Sequence, residues 1–328
     1  MRNVVLSLAV FLLASPSAPA QSWAEKMFKD GTNHEFGSVP RGGVLFHRFV
    51  MTNIYAVPLD ITSMTVSCGQ CSSASASAKT IPPKGTANID VFMDTRKFTA
   101  YKQVHVTLWV GPQFISKADL TVSANSRNDI VLNPGQISFG VVPRGETPTS
   151  TIDVEYAGTF DWKASKVVTA GLPGTATFEE QYRRPGQVGY RVIVKMSPDA
   201  PSGPFKQEIR LETNDPTTPS IPILVEGIVQ PPLTLAPEVL SGINLNVGEE
   251  QVKRVFVRGS KPFRILSVEG QGEGLDVTTQ LPTQAVSSQS ISLKIHPGKP
   301  GEFKRELLIK TDLGEASVTL KVEGEVTP

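Results

Sequence analysis

Apolar residues in this chain recur at every second position, in short runs. Val104, Val106, Leu108 and Val110 alternate with His105, Thr107 and Trp109, and Ala118, Leu120 and Val122 take up the same pattern after a turn. A period of two places such residues on one face of a β-strand. His47, Phe49 and Met51 share a face in this way, as do Ile89, Val91 and Met93, and so do Val188, Tyr190, Val192, Val194 and Met196. Further on, Ile291, Leu293 and Ile295 are expected to pair with Ala316, Val318, Leu320 and Val322. Turn formers separate the runs: Arg41-Gly42-Gly43, Val57-Pro58, Pro82-Pro83-Lys84-Gly85 and Gly111-Pro112. Helical periodicity is absent between them, so the chain reads as all-β. The one helical spacing, Trp23 to Met27 within Ser22 to Asp30, predicts a short N-terminal helix packed on the first module, the other reading being a docking peptide.

The pattern has a longer period. Phe36-Gly37-Ser38-Val39-Pro40-Arg41-Gly42 returns 103 residues on as Phe139-Gly140-Val141-Val142-Pro143-Arg144-Gly145. Tyr101-Lys102-Gln103 is echoed by Phe205-Lys206-Gln207 and Phe303-Lys304-Arg305. A repeat of about 100 residues matches one immunoglobulin-like sandwich. The prediction is three tandem immunoglobulin-like antiparallel β-sandwich domains, at residues 33–125, 130–229 and 230–328, after an N-terminal segment at 21–32. The junctions are short, Asn125 to Pro134 and the proline-rich Gln230 to Pro237, the second of them stiff. In the third domain the opening motif has decayed to Leu245-Asn246-Val247-Gly248-Glu249. Each motif position has a structural use. Phe36 and Phe139 anchor a strand by burial, Pro40 and Pro143 stand where no ladder donor is needed, and the glycines, Gly42 and Gly145 above all, admit a turn with positive φ. A ligand role for Arg41 and Arg144 is the alternative, against which stands the usual solvation of turn arginines.

Length supports several cores, since 328 residues exceed what one core organises. The first twenty residues are set apart. Arg2, the apolar run Val4 to Ala14 and Ala18-Pro19-Ala20 before Gln21 form an export signal. The run is too short to span a bilayer, and no later one is long enough. No cysteine follows the cleavage site, which argues against a lipid anchor there. The expected location is periplasmic, cell-surface or secreted. With 32 basic and 31 acidic residues and no Lys/Arg cluster, nucleic acid is a poor partner. Proteins of the cell envelope or extracellular space fit better.

Chemistry is sparsely signalled. Cys68 and Cys71 are the only two cysteines. In an oxidising compartment a disulfide is the default, contributing about 2 kcal/mol for so short a loop. The alternative is a redox or metal-binding accessory role, but a reactive C-x-x-C needs its thiolate at a helix N-terminus, and here strand and loop surround it. A metal site needs three or four ligands, and His34, His47, His105 and His296 lie far apart in sequence. Gly-x-Ser-x-Gly, phosphate-loop, dinucleotide and zincin motifs are missing. The expectation is a non-enzyme without cofactor or metal.

These residues resemble a bacterial exported family catalogued as domain-of-unknown-function family 1573. The resemblance runs through His34 to Gly42, Thr52-Asn53, Ser67-Cys68-Gly69-Gln70-Cys71, Pro82 to Gly85 and Asp94-Thr95-Arg96-Lys97-Phe98. The second module matches at its opening and at Thr213-Asn214-Asp215-Pro216, and the third only loosely. The family's Ser-Cys-Gly-Cys stretch is one residue longer here, by Gln70. The resemblance implies an immunoglobulin-like sandwich of a fold group used for protein contact, and implies no activity.

Overall fold

The computed structural model describes residues 22–281, 283–313 and 316–328. The export signal expected at 1–20 lies outside the described residues. The chain is an all-β, immunoglobulin-like protein that divides into two compact units, residues 1–128 and 129–328.

In the first unit the strands are β1 (Asn33–Arg41), β2 (Val44–Thr52), β3 (Leu59–Val66), β4 (Ser72–Ala76), β5 (Thr80–Ile81), β6 (Thr86–Asp94), β7 (Ala100–Gly111) and the first part of β8 (Ser116–Asn133). One sheet runs β8-β7-β3-β5, with β1 also on β8, and the other runs β2-β6-β4. The alternating residues meet between the sheets: Val104, Val106, Leu108 and Val110 from one, Ile89, Val91 and Met93 from the other. A single 3-10 turn, Glu25–Met27, closes one end of this core. Ala24 and Met27 are fully buried there, and Phe28 bridges to Met51.

The second unit begins within β8. Residues 125–133, the expected junction, are strand, because Ile130 and Leu132 continue the inward alternation and are buried. There follow β9 (Ile137–Pro143), β10 (Thr149–Ala157), β11 (Ala164–Val168), β12 (Gly174–Arg184), β13 (Gln187–Met196), β14 (Gly203–Thr213) and β15 (Ser220–Gln230). The end of β8 pairs with β10 and continues to β13 and β12, while the facing sheet is β11-β14-β15-β9. Trp162, Tyr190 and the valines of β13 fill the space between. A further core lies between sheets β16-β18-β21-β20 and β17-β23-β22-β19. Their strands are β16 (Leu233–Ala236), β17 (Val239–Asn246), β18 (Gln251–Phe263), β19 (Ile265–Glu269), β20 (Leu275–Val277), β21 (Val286–Ile295), β22 (Gly301–Thr311) and β23 (Ser317–Thr327).

Two expectations change. Ile291, Leu293 and Ile295 do not pair with Val318 to Val322. β21 hydrogen-bonds to β18 and β23 to β22, so the two sets face each other across one core from different sheets. Alternation fixes a strand's inward face but carries no information on which sheet it joins. Nor is the pairing wholly antiparallel: β9 runs parallel to β15, and β17 parallel to β23.

Candidate functional site

The repeated opening motif occupies β1 and β9. In β9 the ladder with β15 slips between Ser138 and Val141, which face Glu226 and Ile228, so three steps on one strand meet two on the other. That is a β-bulge, and Gly140 in it has φ +62°, as Gly37 has φ +71°. The bulge resets the alternation, so Phe139, which packs on the core, and Val142, which is buried, stand three residues apart. The phenylalanines are half-buried in β1 and β9 alike, and Val39 and Val142 are buried more deeply than the rings. Pro143 closes β9 and Pro40 stands one residue before the end of β1, ahead of turns in which Gly42 and Gly145 hold φ +92° and +93°. β17 repeats the device. β17 slips between Leu240 and Ile243 against β23, and Gly242 has φ +71°. Sequence reading missed Gly242 because it stands three residues before the buried Leu245, where Gly140 stands two before Val142.

Two further pieces of the resemblance clamp turns. Asn53, fully buried, donates from Nδ2 to Val57 O (2.8 Å) and Ile81 O (3.0 Å), with Pro82 O at 3.2 Å. Its Oδ1 accepts from Tyr55 N at 3.0 Å. Thr52-Asn53 and Pro82 to Gly85 are thus one hydrogen-bonded unit. Thr95 is buried likewise, its Oγ1 2.9 Å from Pro40 O and 3.0 Å from Gly43 O. It ties the Asp94 to Phe98 stretch to the turn that follows the opening motif. In the second unit Asn214 donates to Asp161 O (2.9 Å) and accepts from Lys163 N (2.7 Å). Asn53 and Thr95, buried and satisfied in this way, fix backbone geometry, and Asn214 does so from an exposed turn.

Cys68 and Cys71 form a disulfide with Cα atoms 5.6 Å apart. They lie where the chain leaves β3 in one sheet and enters β4 in the other, so the bridge staples the crossover. Ser72 donates from N (3.0 Å) and Oγ (2.7 Å) to Cys68 O, and Asp94 N donates to Cys71 O at 2.9 Å. Among the described residues no helix adjoins this turn, which is flanked by β3 and β4. Gly69 and Gln70 form its exposed tip, and Cys71 is buried.

The structure brings together two histidines that the sequence separates. The rings of His34 and His47 stack at 3.6 Å, each edge-on to a phenylalanine: Phe36 at 4.6 Å and Phe49 at 4.5 Å. Burial, then the neighbouring charge of His34, pushes His47 down to about 4. His105 stands exposed near Gln103 and Thr121, and His296 meets Asp276 at 2.6 Å. Among the described residues no group of three or more His, Cys, Asp or Glu is placed to hold a metal. Where Trp23, Tyr55, Val57, Leu59 and Phe114 converge in the first unit, an apolar hollow of about 330 Å³ opens. The one sequence signal for it is the exposed Phe114-Ile115 in the β7–β8 turn.

This is therefore an immunoglobulin-like protein whose shared motif residues serve its own turns and bulges. Residues 28–116 match the family described as protein of unknown function DUF1573, so the resemblance holds over that stretch. No curated protein matches the chain. Among solved structures, a protein of unknown function from Porphyromonas gingivalis W83 is similar at 15% identity, over 60% of this chain and 100% of that one, with a TM-score of 0.24. The I-band fragment I67-I69 of titin is similar at 12% identity, over 90% of this chain and 96% of that one, with a TM-score of 0.23. DIP-gamma IG1+IG2 is similar at 15% identity, over 61% and 98%, with a TM-score of 0.27. At such TM-scores the chains do not superpose as wholes, and the fold assignment rests on the strands themselves.

Proposed function

We propose that this is an exported, non-enzymatic scaffold of three tandem immunoglobulin-like modules that works in the cell envelope by protein contact. The observation that carries the reading is where the motif residues point. Asn53, Thr95 and Asn214 spend their side chains on the chain's own backbone, and the motif glycines shape bulges and turns. What remains for a partner is the exterior. β4, with its Ser-Ala alternation, is an edge strand of the β2-β6-β4 sheet, the kind of edge to which an extended segment adds. Among the described residues no helix is long and apolar enough to cross a membrane. The disulfide fits an oxidising compartment.

The test is cross-linking in the native cell, with identification of the partners and fractionation of the envelope. Specific protein adducts in the envelope fraction are expected. A cytoplasmic protein, or one with no adduct and no assembly defect on deletion, overturns the reading. Thiol labelling before and after reduction addresses the redox alternative: a pair oxidised throughout the cell cycle of growth supports the structural staple, and one that cycles supports redox work.

A further inference from the structure

We infer that the outer face of the β16-β18-β21-β20 sheet is a docking surface for an acidic segment of a partner protein, read by Arg254, Phe256 and Arg258. The inference rests on the contact role proposed above and adds to it a place and a chemistry. β18 alternates strictly here. Val255 and Val257 point into the core and are fully buried, so Val252, Arg254, Phe256 and Arg258 stand together on the outside. Val252 is 62% exposed and Phe256 43%.

The neighbours on that face are small. Ser292, Ser290 and Ser288 of β21 lie opposite Arg254, Phe256 and Arg258, and on the other side Ala236 and Thr234 of β16 lie opposite Phe256 and Arg258. The two guanidinium groups and the ring therefore rise from a floor of short side chains.

Two contrasts mark the face. Several arginines among the described residues meet a carboxylate: Arg48 with Asp90, Arg96 with Asp94, Arg191 with Asp153, Arg210 with Glu208, Arg264 with Asp312. Among the described residues neither Arg254 nor Arg258 makes such a pair, and two acids of the same sheet's strands and their ends are engaged elsewhere, Glu250 by Lys294 and Asp276 by His296. Elsewhere an arginine two residues from an aromatic lies over its ring, Arg48 on Phe46 and Arg184 on Tyr182. Phe256 has an arginine two residues away on either side, and neither covers it. Unpaired guanidinium groups in a planar fork are suited to carboxylates, and Arg with aromatic residues dominates the energetics of protein interfaces. Same-face residues of a strand are ~7 Å apart, which separates the two arginines by roughly 13 Å. That is about the span of two acidic residues four positions apart in an extended segment, with an apolar side chain between them to meet Phe256.

The test places a photo-reactive benzoylphenylalanine at position 256 of the full chain in the native cell, with the same probe at position 304 as a control. Adducted peptides are sequenced after irradiation. The expected result is a segment of another protein carrying Asp or Glu on both sides of the cross-linked residue and absent from the position 304 control. Its yield should fall at least tenfold when Arg254→Glu and Arg258→Glu are combined. Both sites are exposed, so an unchanged thermal midpoint shows that the variant folds, and reversing the partner's acidic residues to Lys should restore the adduct. An adduct to a glycan, a lipid or a second copy of this chain overturns the inference, as does one indifferent to the charge reversal. No adduct at 256 alongside adducts from a probe on β4 removes this surface and leaves the scaffold reading standing; no adduct at either removes both.

Discussion

Asn53 has no exposed surface, and its amide reaches three carbonyls and one backbone N–H. Alanine there strands those groups in a buried setting, where each orphan costs about 1–3 kcal/mol and relaxation recovers part of it. Asn53→Ala should therefore lose about 3 kcal/mol of stability, read from the urea midpoint of the Trp23 fluorescence. His47 makes a prediction of a different kind. Its folded value of about 4 lies below the ordinary 6.5, so the unfolded chain binds the extra proton. The stability tied to its neutral ring is whole above pH 6.5, is lost as pH falls from 6.5 towards 4, and changes no further below that. The site is half-exposed, so the expected loss is on the order of 1 kcal/mol rather than the full shift. Urea titrations of wild type and His47→Phe at pH 7 and pH 4 measure it. The wild type should lose more, because carboxylate protonation is common to both chains and cancels.

The opening strand shows what a linear reading of an element can and cannot reach. Its turn was legible, because Pro40-Arg41-Gly42 and Pro143-Arg144-Gly145 declare themselves by residue type. Its bulge was not. A bulge is a mismatch between two strands about 90 residues apart, and Gly242 hides in the third copy by a shift of one place. Gly140 has open space where a Cβ would stand, so Gly140→Ala isolates the cost of φ +62° from any clash. The expected loss is about 1–2 kcal/mol in equilibrium unfolding. The cysteine loop was legible as a disulfide from composition and the export signal. Its position at a crossover between sheets required knowing that β3 and β4 part company. Replacing both cysteines by alanine should cost about 2 kcal/mol, the loop-closure value for four residues. A much smaller loss would mean that the Ser72 and Asp94 hydrogen bonds already hold the crossover.

Among the described residues three large apolar cores follow one another, drawn from residues 24–124, 130–225 and 233–326, with a small satellite of Met196, Ala200 and Val229. The repeat was readable because each core needs the same opening strand at the same place. The pairing of sheets was not, since every run of alternating residues looks alike. If each core is built only from its own segment, a fault in one should leave the others' unfolding unmoved. The tryptophans allow this to be watched. Trp23 meets Tyr55 edge-on at 5.3 Å in the first core, and Trp162 stacks on Tyr156 at 4.8 Å in the second. The remaining one of the 3 tryptophans is Trp109, on β7. Replacing Trp109 and Trp162 by Phe leaves Trp23 as the single reporter, and replacing Trp23 and Trp109 leaves Trp162. In the first background Asn53→Ala should lower the urea midpoint, because Tyr55, the ring against Trp23, is held by Asn53. In the second the midpoint should stay where it was. Equal shifts in both would show that the first two cores unfold as one cooperative body, and the three-module division would then describe the sequence repeat and not the units that fold.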